Sequence, residues 1–128
     1  YKEKFYAVGK FLGGFMKRES RPSNAEILIM RLIDRPLRPL FPEGFMNETI
    51  VMAQVLSANE AGDPEVLAGL GAAAALAISD VPFNGPMGYC KVGRIDGKLV
   101  LNPTKTEFHS ADIELLVAGS NDAVLMVE

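Results

Sequence analysis

The chain has 128 residues, 48% of them hydrophobic and 23% charged, and a formal net charge of −3. That composition is globular and the length suffices for one domain with a real core. A single cysteine excludes an internal disulfide, and the most apolar window, Val66 to Ile78, is too short to cross a bilayer. With no signal peptide in view, the default is a cytoplasmic or organelle-matrix protein without a membrane partner, and the cytoplasm is the expectation. Cys90 lies in an apolar run and reads as a small core residue. The chain starts mid-pattern without methionine and ends on the strand-like AVLMVE. It therefore reads as a fragment of a longer polypeptide.

From the N-terminus, Tyr1 to Leu12 is aromatic and β-branched enough for a weak strand, which Gly13–Gly14 breaks. A helix begins at Ser23, where SNAE forms a capping box. Ile27, Met30, Ile33 and Leu37 recur at helical spacing. Pro36 predicts that the regular helix stops near Asp34 or Arg35, and Pro39 and Pro42 predict an extended or turn-like segment. TIVMAQVL, Thr49 to Leu56, is almost continuously apolar and predicts a buried strand.

Asp63 and Pro64 are the N-cap and first residue of a second helix, Glu65 to about Ser79. This helix has almost no polar face, and Gly69, Gly71 and Ala72 to Ala75 allow close approach, so it is expected to be buried between layers. A loop follows from Val81 to Pro86. Met87 to Ile95 and Lys98 to Leu101 read as a hairpin about Asp96–Gly97. A short polar helix from Pro103 or Thr104 and two strands, Ile113 to Ala118 and Val124 to Val127, complete the pattern. The fold class is α+β, with hairpins in place of a doubly wound parallel sheet.

Charge is unevenly spread. Residues 1–42 hold nine cations against four acids, which leaves +5 there and −8 on the remainder. Such a split either marks a cationic face for an anionic partner or arises by chance in a short window. Arg31, Arg35 and Arg38, at i, i+4 and i+7, fall on one side of a helix, opposite Met30, Ile33 and Leu37. A row of guanidiniums can meet successive phosphates with forked geometry. The alternative is a solvated face in which Asp34 pairs Arg31 or Arg38. In FLGGFMKRESRPS, Phe15 stands beside Lys17 and Arg18, with Arg21 close behind. A ring that stacks on bases among cations that track a backbone suits single-stranded nucleic acid. The alternative is that Phe15 and Met16 fold back on the core.

No catalytic set is legible. One His and one Cys do not make a metal cluster, and His109 lies in a polar stretch where it reads as solvated. Ser57 and Ser79 have no neighbouring histidine, and FLGGF lacks the Lys-Ser/Thr of a phosphate-binding loop. No catalytic residue and no metal ligand is assigned.

The blocks GGFMKRESRPS, RLIDRPLRPLFPEGF, VPFNGPMG, VLNPT and LLVAGSNDAVLMVE, in that order, resemble the first ribonuclease PH-like half of bacterial polynucleotide phosphorylases. The likeness runs from about Phe5 to the last residue. It implies a single ribonuclease PH-like α+β domain over 1–128, a mixed sheet with helices packed on it, within a longer chain. It implies a phosphate-dependent 3′-to-5′ exoribonuclease in mRNA catabolism: inorganic phosphate attacks the terminal linkage, a nucleoside diphosphate leaves, and the reverse reaction polymerises diphosphates. Magnesium assists in the full-length enzyme, with no ion assigned to this part. Three chains form a ring around a channel for single-stranded RNA, and the phosphorolytic site lies mainly in the other half, so this part alone is expected to be inactive.

By the same resemblance Phe15 stacks a base, while Lys17 and Arg18, with Arg21 behind them, hold phosphates at the channel entrance. Met16 stands where a second aromatic is common. Lys17 replaces an arginine, keeping the charge and losing the fork. Arg31, Arg35 and Arg38 match an arginine-rich segment that faces RNA or supports the ring. FNGP, Phe83 to Pro86, matches a structural loop without chemistry. The competing expectation is a non-catalytic assembly scaffold whose cations bridge subunits. A free-standing enzyme of this type would need a complete phosphate site, which the sequence does not offer.

Overall fold

A computed structural model describes residues 1–8, 21–59 and 62–128. Strand β1 (Lys2–Glu3) leads into a 3₁₀ turn over Phe5–Val8, in place of the longer strand expected from Tyr1 to Leu12. Helix α1 (Asn24–Leu37) starts where the capping box places it. The Ser23 hydroxyl accepts from the Glu26 amide at 3.2 Å, and the Glu26 carboxylate accepts from the Ser23 amide at 2.6 Å. The same carboxylate accepts from the Glu3 amide at 2.8 Å, so the cap also ties β1 to the helix. Partial burial opposes the Glu26 charge, but these bonds and nearby Lys2 outweigh it and hold the carboxyl below its ordinary range.

The helix does not stop before Pro36. It runs to Leu37 and tightens into a 3₁₀ turn over Arg38–Leu40. Pro36 sits in the last turn, so only one ladder bond is lost, and the Arg38 amide still donates to the Asp34 carbonyl. In return the Pro36 ring is fully buried on the same face as Leu32, Ile33 and Leu37.

Strand β2 is only Gln54–Val55, paired in parallel with β1. The buried strand expected from Thr49 to Leu56 is not formed: Ile50, Met52 and Leu56 are exposed. An apolar run signals a need for burial without supplying a partner, and among the described residues only β1 pairs with it.

Helix α2 (Pro64–Ala77) is capped by the Asp63 carboxylate, which accepts from the Glu65 amide at 3.1 Å. It buries Val66, Gly69, Ala72, Ala73 and Leu76, while Leu67, Leu70 and Ile78 are exposed. The helix is thus covered on one face rather than between two layers. Gly69 has a specific reason: a Cβ there would lie 2.6 Å from Cδ1 of Tyr89.

Strands β3 (Gly88–Ile95) and β4 (Lys98–Leu101) form the expected hairpin. Asp96 and Gly97 both take positive φ, 49° and 76°, as a tight primed turn requires. Helix α3 (Lys105–Phe108) has its own capping box, between Thr104 and Glu107. Strands β5 (Ile113–Gly119) and β6 (Val124–Val127) finish an antiparallel sheet in the order β4-β3-β5-β6.

The fold is α+β, with parallel and antiparallel pairing divided between two sheets. α1 and α2 pack on one face of the larger sheet. Leu32, Ile33 and Leu37 meet Val66, Ala73 and Leu76 there, over Tyr89, Leu116, Ala118 and Met126. Cys90 alternates to the opposite face, where it is half-buried rather than a core residue.

Candidate nucleic-acid interface

The cations of α1 are presented as helical geometry dictates. Leu32, Ile33, Pro36 and Leu37 turn inwards, which leaves Arg31, Arg35 and Arg38 exposed along the opposite side. Arg21 is exposed two residues before the helix cap at Ser23. Phe15, Lys17 and Arg18 lie outside the described residues.

The three helical arginines are not equivalent. Arg38 donates through Nε to Asp34 at 2.6 Å, one turn back on α1. That bond and the Asp34 charge raise the pKa of the Arg38 guanidinium above its ordinary value. Arg35 donates through Nη1 to Glu128 at 2.9 Å, a partner 93 residues away at the end of β6. Arg31 and Arg21 form no ion pair among the described residues. Local spacing foretold the Asp34–Arg38 pair. Nothing local could foretell Glu128, because the contact exists only once β6 lies beside α1. Both pairs are well exposed, so each is a weak restraint that a phosphate can compete with.

A second charged cluster was missed in the sequence. Lys91 on β3 donates to Asp63 and Glu65 at the start of α2, with Nζ 2.9 Å from a carboxylate oxygen of each. Its side chain is 17% exposed, and that of Glu65 14%. Burial works against the Lys91 charge, but the two hydrogen bonds and the two negative charges win and raise its pKa. Tyr89, two residues earlier on the same face, has a buried hydroxyl without a hydrogen-bond partner among the described residues. Burial raises the Tyr89 phenol pKa, and the Glu65 and Asp63 charges add to this. A lysine held between two carboxylates is spoken for, so this cluster clamps α2 to the sheet and offers nothing to a phosphate. The readable signal was a lysine at an inward-facing position of an alternating strand.

His109 is exposed. Among the described residues no group of three or more His, Cys, Asp or Glu could hold a metal ion. No helix there is long and apolar enough to cross a membrane.

Comparison with known proteins decides the family. Residues 1–82 match the model of the 3′ exoribonuclease family, domain 1, and residues 85–128 match domain 2 of the same family. The chain belongs to the 3′ exoribonuclease family. The two matches meet in the loop between α2 and β3. Over all 128 residues the chain is 58% identical to the polyribonucleotide nucleotidyltransferase of Geotalea uraniireducens (strain Rf4). It is 57% identical to those of Geobacter sulfurreducens and of Ruthia magnifica. In each case the chain spans 18% of the relative's length. The likeness to the first ribonuclease PH-like half of such enzymes, read from the motif blocks, is confirmed at the level of family and region.

Proposed function

We propose that this chain is the first core domain of a polyribonucleotide nucleotidyltransferase. In this reading the full-length protein shortens RNA from its 3′ end with inorganic phosphate, releases nucleoside diphosphates, and runs in reverse as a polymerase. It works in the cytoplasm, in mRNA catabolism, as a homotrimeric ring. The chain's own share is to capture single-stranded RNA and to help build the ring. What supports the activity is the identity of 57–58% over an alignment that covers all 128 residues. What supports RNA capture is the exposed cationic side of α1, above all Arg31, which has no acid to satisfy it among the described residues. Phe15, Lys17, Arg18 and Arg21 are assigned to the same RNA path, with Arg35 and Arg38 beside it.

Magnesium belongs to the proposed reaction, but the described carboxylates do not form a cluster fit to hold it. No step assigned to this chain passes through the ion.

The test is fluorescence anisotropy of a labelled oligoadenylate, titrated with the full-length protein at several salt concentrations. Arg31→Ala and the double variant Lys17→Ala, Arg18→Ala should weaken binding and flatten the salt slope, by about 0.7 unit for each phosphate of the single strand no longer neutralised. Equal affinity and an unchanged slope in an intact trimer would remove RNA capture from this chain. The scaffold reading competes for part of the row: Arg35 and Arg38 are engaged within the chain by Glu128 and Asp34, which makes them less available to RNA than Arg31. Under that reading Arg35→Ala and Arg38→Ala shift the trimer towards monomer in size-exclusion chromatography and leave the affinity of the remaining trimer unchanged.

A further inference from the structure

Asn84 and Gly85 lie in the loop between α2 and β3, in the block that the resemblance left without chemistry. Asn84 is the one asparagine of the chain that is followed by glycine. The pairing matters because an asparagine side chain can be attacked by the amide nitrogen of the next residue. A side chain on that residue obstructs the approach, and glycine has none. What the fold adds is access. Both residues are exposed, and the chain there is neither helix nor strand. Among the described residues the Gly85 amide makes no hydrogen bond, and neither does the Asn84 side chain. The nucleophile and the carbonyl it attacks are both unengaged.

Packing keeps position 85 a glycine. A Cβ there would collide with the Phe83 ring, which itself meets Phe41 edge-on. Other asparagines show what protection looks like. Asn102 precedes Pro103, which has no N–H, and its side chain accepts from the Lys91 amide at 2.9 Å. After Asn121 the Asp122 amide is engaged, donating to the Ser120 hydroxyl at 3.3 Å. At Asn84 the residue's own amide donates to the Leu40 carbonyl at 2.7 Å, a bond that occupies neither reacting atom.

We infer that Asn84 is a modification site: in the folded protein its side chain cyclises onto the Gly85 nitrogen, and the residue becomes aspartate and isoaspartate. The Gly85 amide loses its proton to solvent base, and its nitrogen bonds to Cγ of Asn84. The Cγ–Nδ2 bond breaks, and the leaving nitrogen takes up a proton and departs as ammonia. Water then opens the cyclic imide at either carbonyl, giving aspartate by one route and isoaspartate by the other. No oxidant, reductant or cofactor enters. Either product adds a negative charge, and isoaspartate also adds a methylene to the main chain. Both changes fall between the segments matched to the two domains of the family, in a loop tied through Leu40 to the turn that ends α1. The isoaspartyl carboxyl is the class of substrate taken by carboxyl methyltransferases that use S-adenosylmethionine. The inference rests on this loop alone and holds whether or not α1 binds RNA.

The test uses the full-length protein, kept folded in mildly alkaline buffer and then digested for mass spectrometry. The peptide that holds Asn84 should show the mass gain of an amide turned into an acid, faster as the pH rises. Peptides holding Asn102 and Asn121 should stay unchanged over the same time. An isoaspartyl methyltransferase with labelled S-adenosylmethionine should mark the Asn84 peptide, and Asn84→Gln should abolish the mark. The wild-type time course needs no substitution and decides the matter by itself. An Asn84 that stays intact in the folded protein would overturn the inference, and conversion of a urea-denatured sample would then show that the fold protects the loop. Aspartate without isoaspartate would also overturn it, because opening of the imide gives both. So would a methyl mark that persists in Asn84→Gln.

Discussion

α1 and α2 have the same length, fourteen residues, and each is capped by a side-chain oxygen. Each lays one apolar stripe on the same sheet. They differ on the far side. From Arg31 onward α1 turns Arg31, Asp34, Arg35 and Arg38 to solvent, and the charges there partly neutralise each other. α2 turns out Leu67, Leu70, Gly71, Ala74 and Ala75. A helix with one charged side is complete as a surface element, whereas one apolar all round needs a second cover. In this fold, then, charge marks the side that meets water or an anion, and an apolar far side marks the one that meets more protein.

The largest expected effect tests the half of this comparison in which the helices agree. Leu37→Ala on α1 and Leu76→Ala on α2 remove side chains that are both about 5% exposed. Each should cost about 2–5 kcal/mol in urea denaturation. A loss from one without the other would mean that only one helix is anchored to the core. Gly69→Ala comes next. Its new methyl would sit inside contact distance of the Tyr89 ring, and overpacking of this kind costs about 1–3 kcal/mol. Lys91→Met leaves Asp63 and Glu65 facing each other without their cation. Removing one member of a fully buried pair costs more, but Asp63 is 30% exposed, so about 1–3 kcal/mol is expected. The loss should shrink when Glu65→Gln is added to the same chain.

At α1 the comparison turns on the cap. Ser23→Ala should cost about 1 kcal/mol, read as a lower urea midpoint. The cap also carries a pH signature. Glu26 has a folded pKa below its unfolded one, so the stability it lends is complete above the unfolded carboxyl value, about 4.3. It is lost as the pH falls through the lower, folded value. Urea midpoints measured from pH 6 down to pH 3 should drop, and Glu26→Gln should flatten the drop. An unchanged acid slope in that variant would mean that other carboxylates control it.

What the sequence made legible is what is local in the chain. The capping box at Ser23, the Asp63–Pro64 start and the Asp96–Gly97 turn each join groups within a few residues, and all are formed. The exposed arginine row followed from helical period alone. The readings that changed depend on what lies across space. Pro36 continues the helix because its ring finds a buried site. Thr49 to Leu56 stays largely unpaired because composition does not name a partner. Lys91 is a clamp only because β3 passes under the start of α2, and Arg35 reaches Glu128 only after β6 is in place. For Phe15, Lys17 and Arg18 the residues themselves remain the whole argument.

The smallest effect separates the two sides of α2 most sharply. Gly71 lines an open groove between α2 and residues 49–57, two residues from Gly69 and turned away from Tyr89. On an open helix face, Gly71→Ala gains backbone propensity without a clash, so the 128-residue chain should become more stable by about 1 kcal/mol. In the full-length protein, more protein covering this apolar far side would leave no room for the same methyl. The gain should then disappear or change sign, while Gly69→Ala destabilises both forms alike. A stabilisation of the same size in both proteins would leave the far side of α2 facing water, and α2 would then be a surface helix like α1 despite its apolar far side.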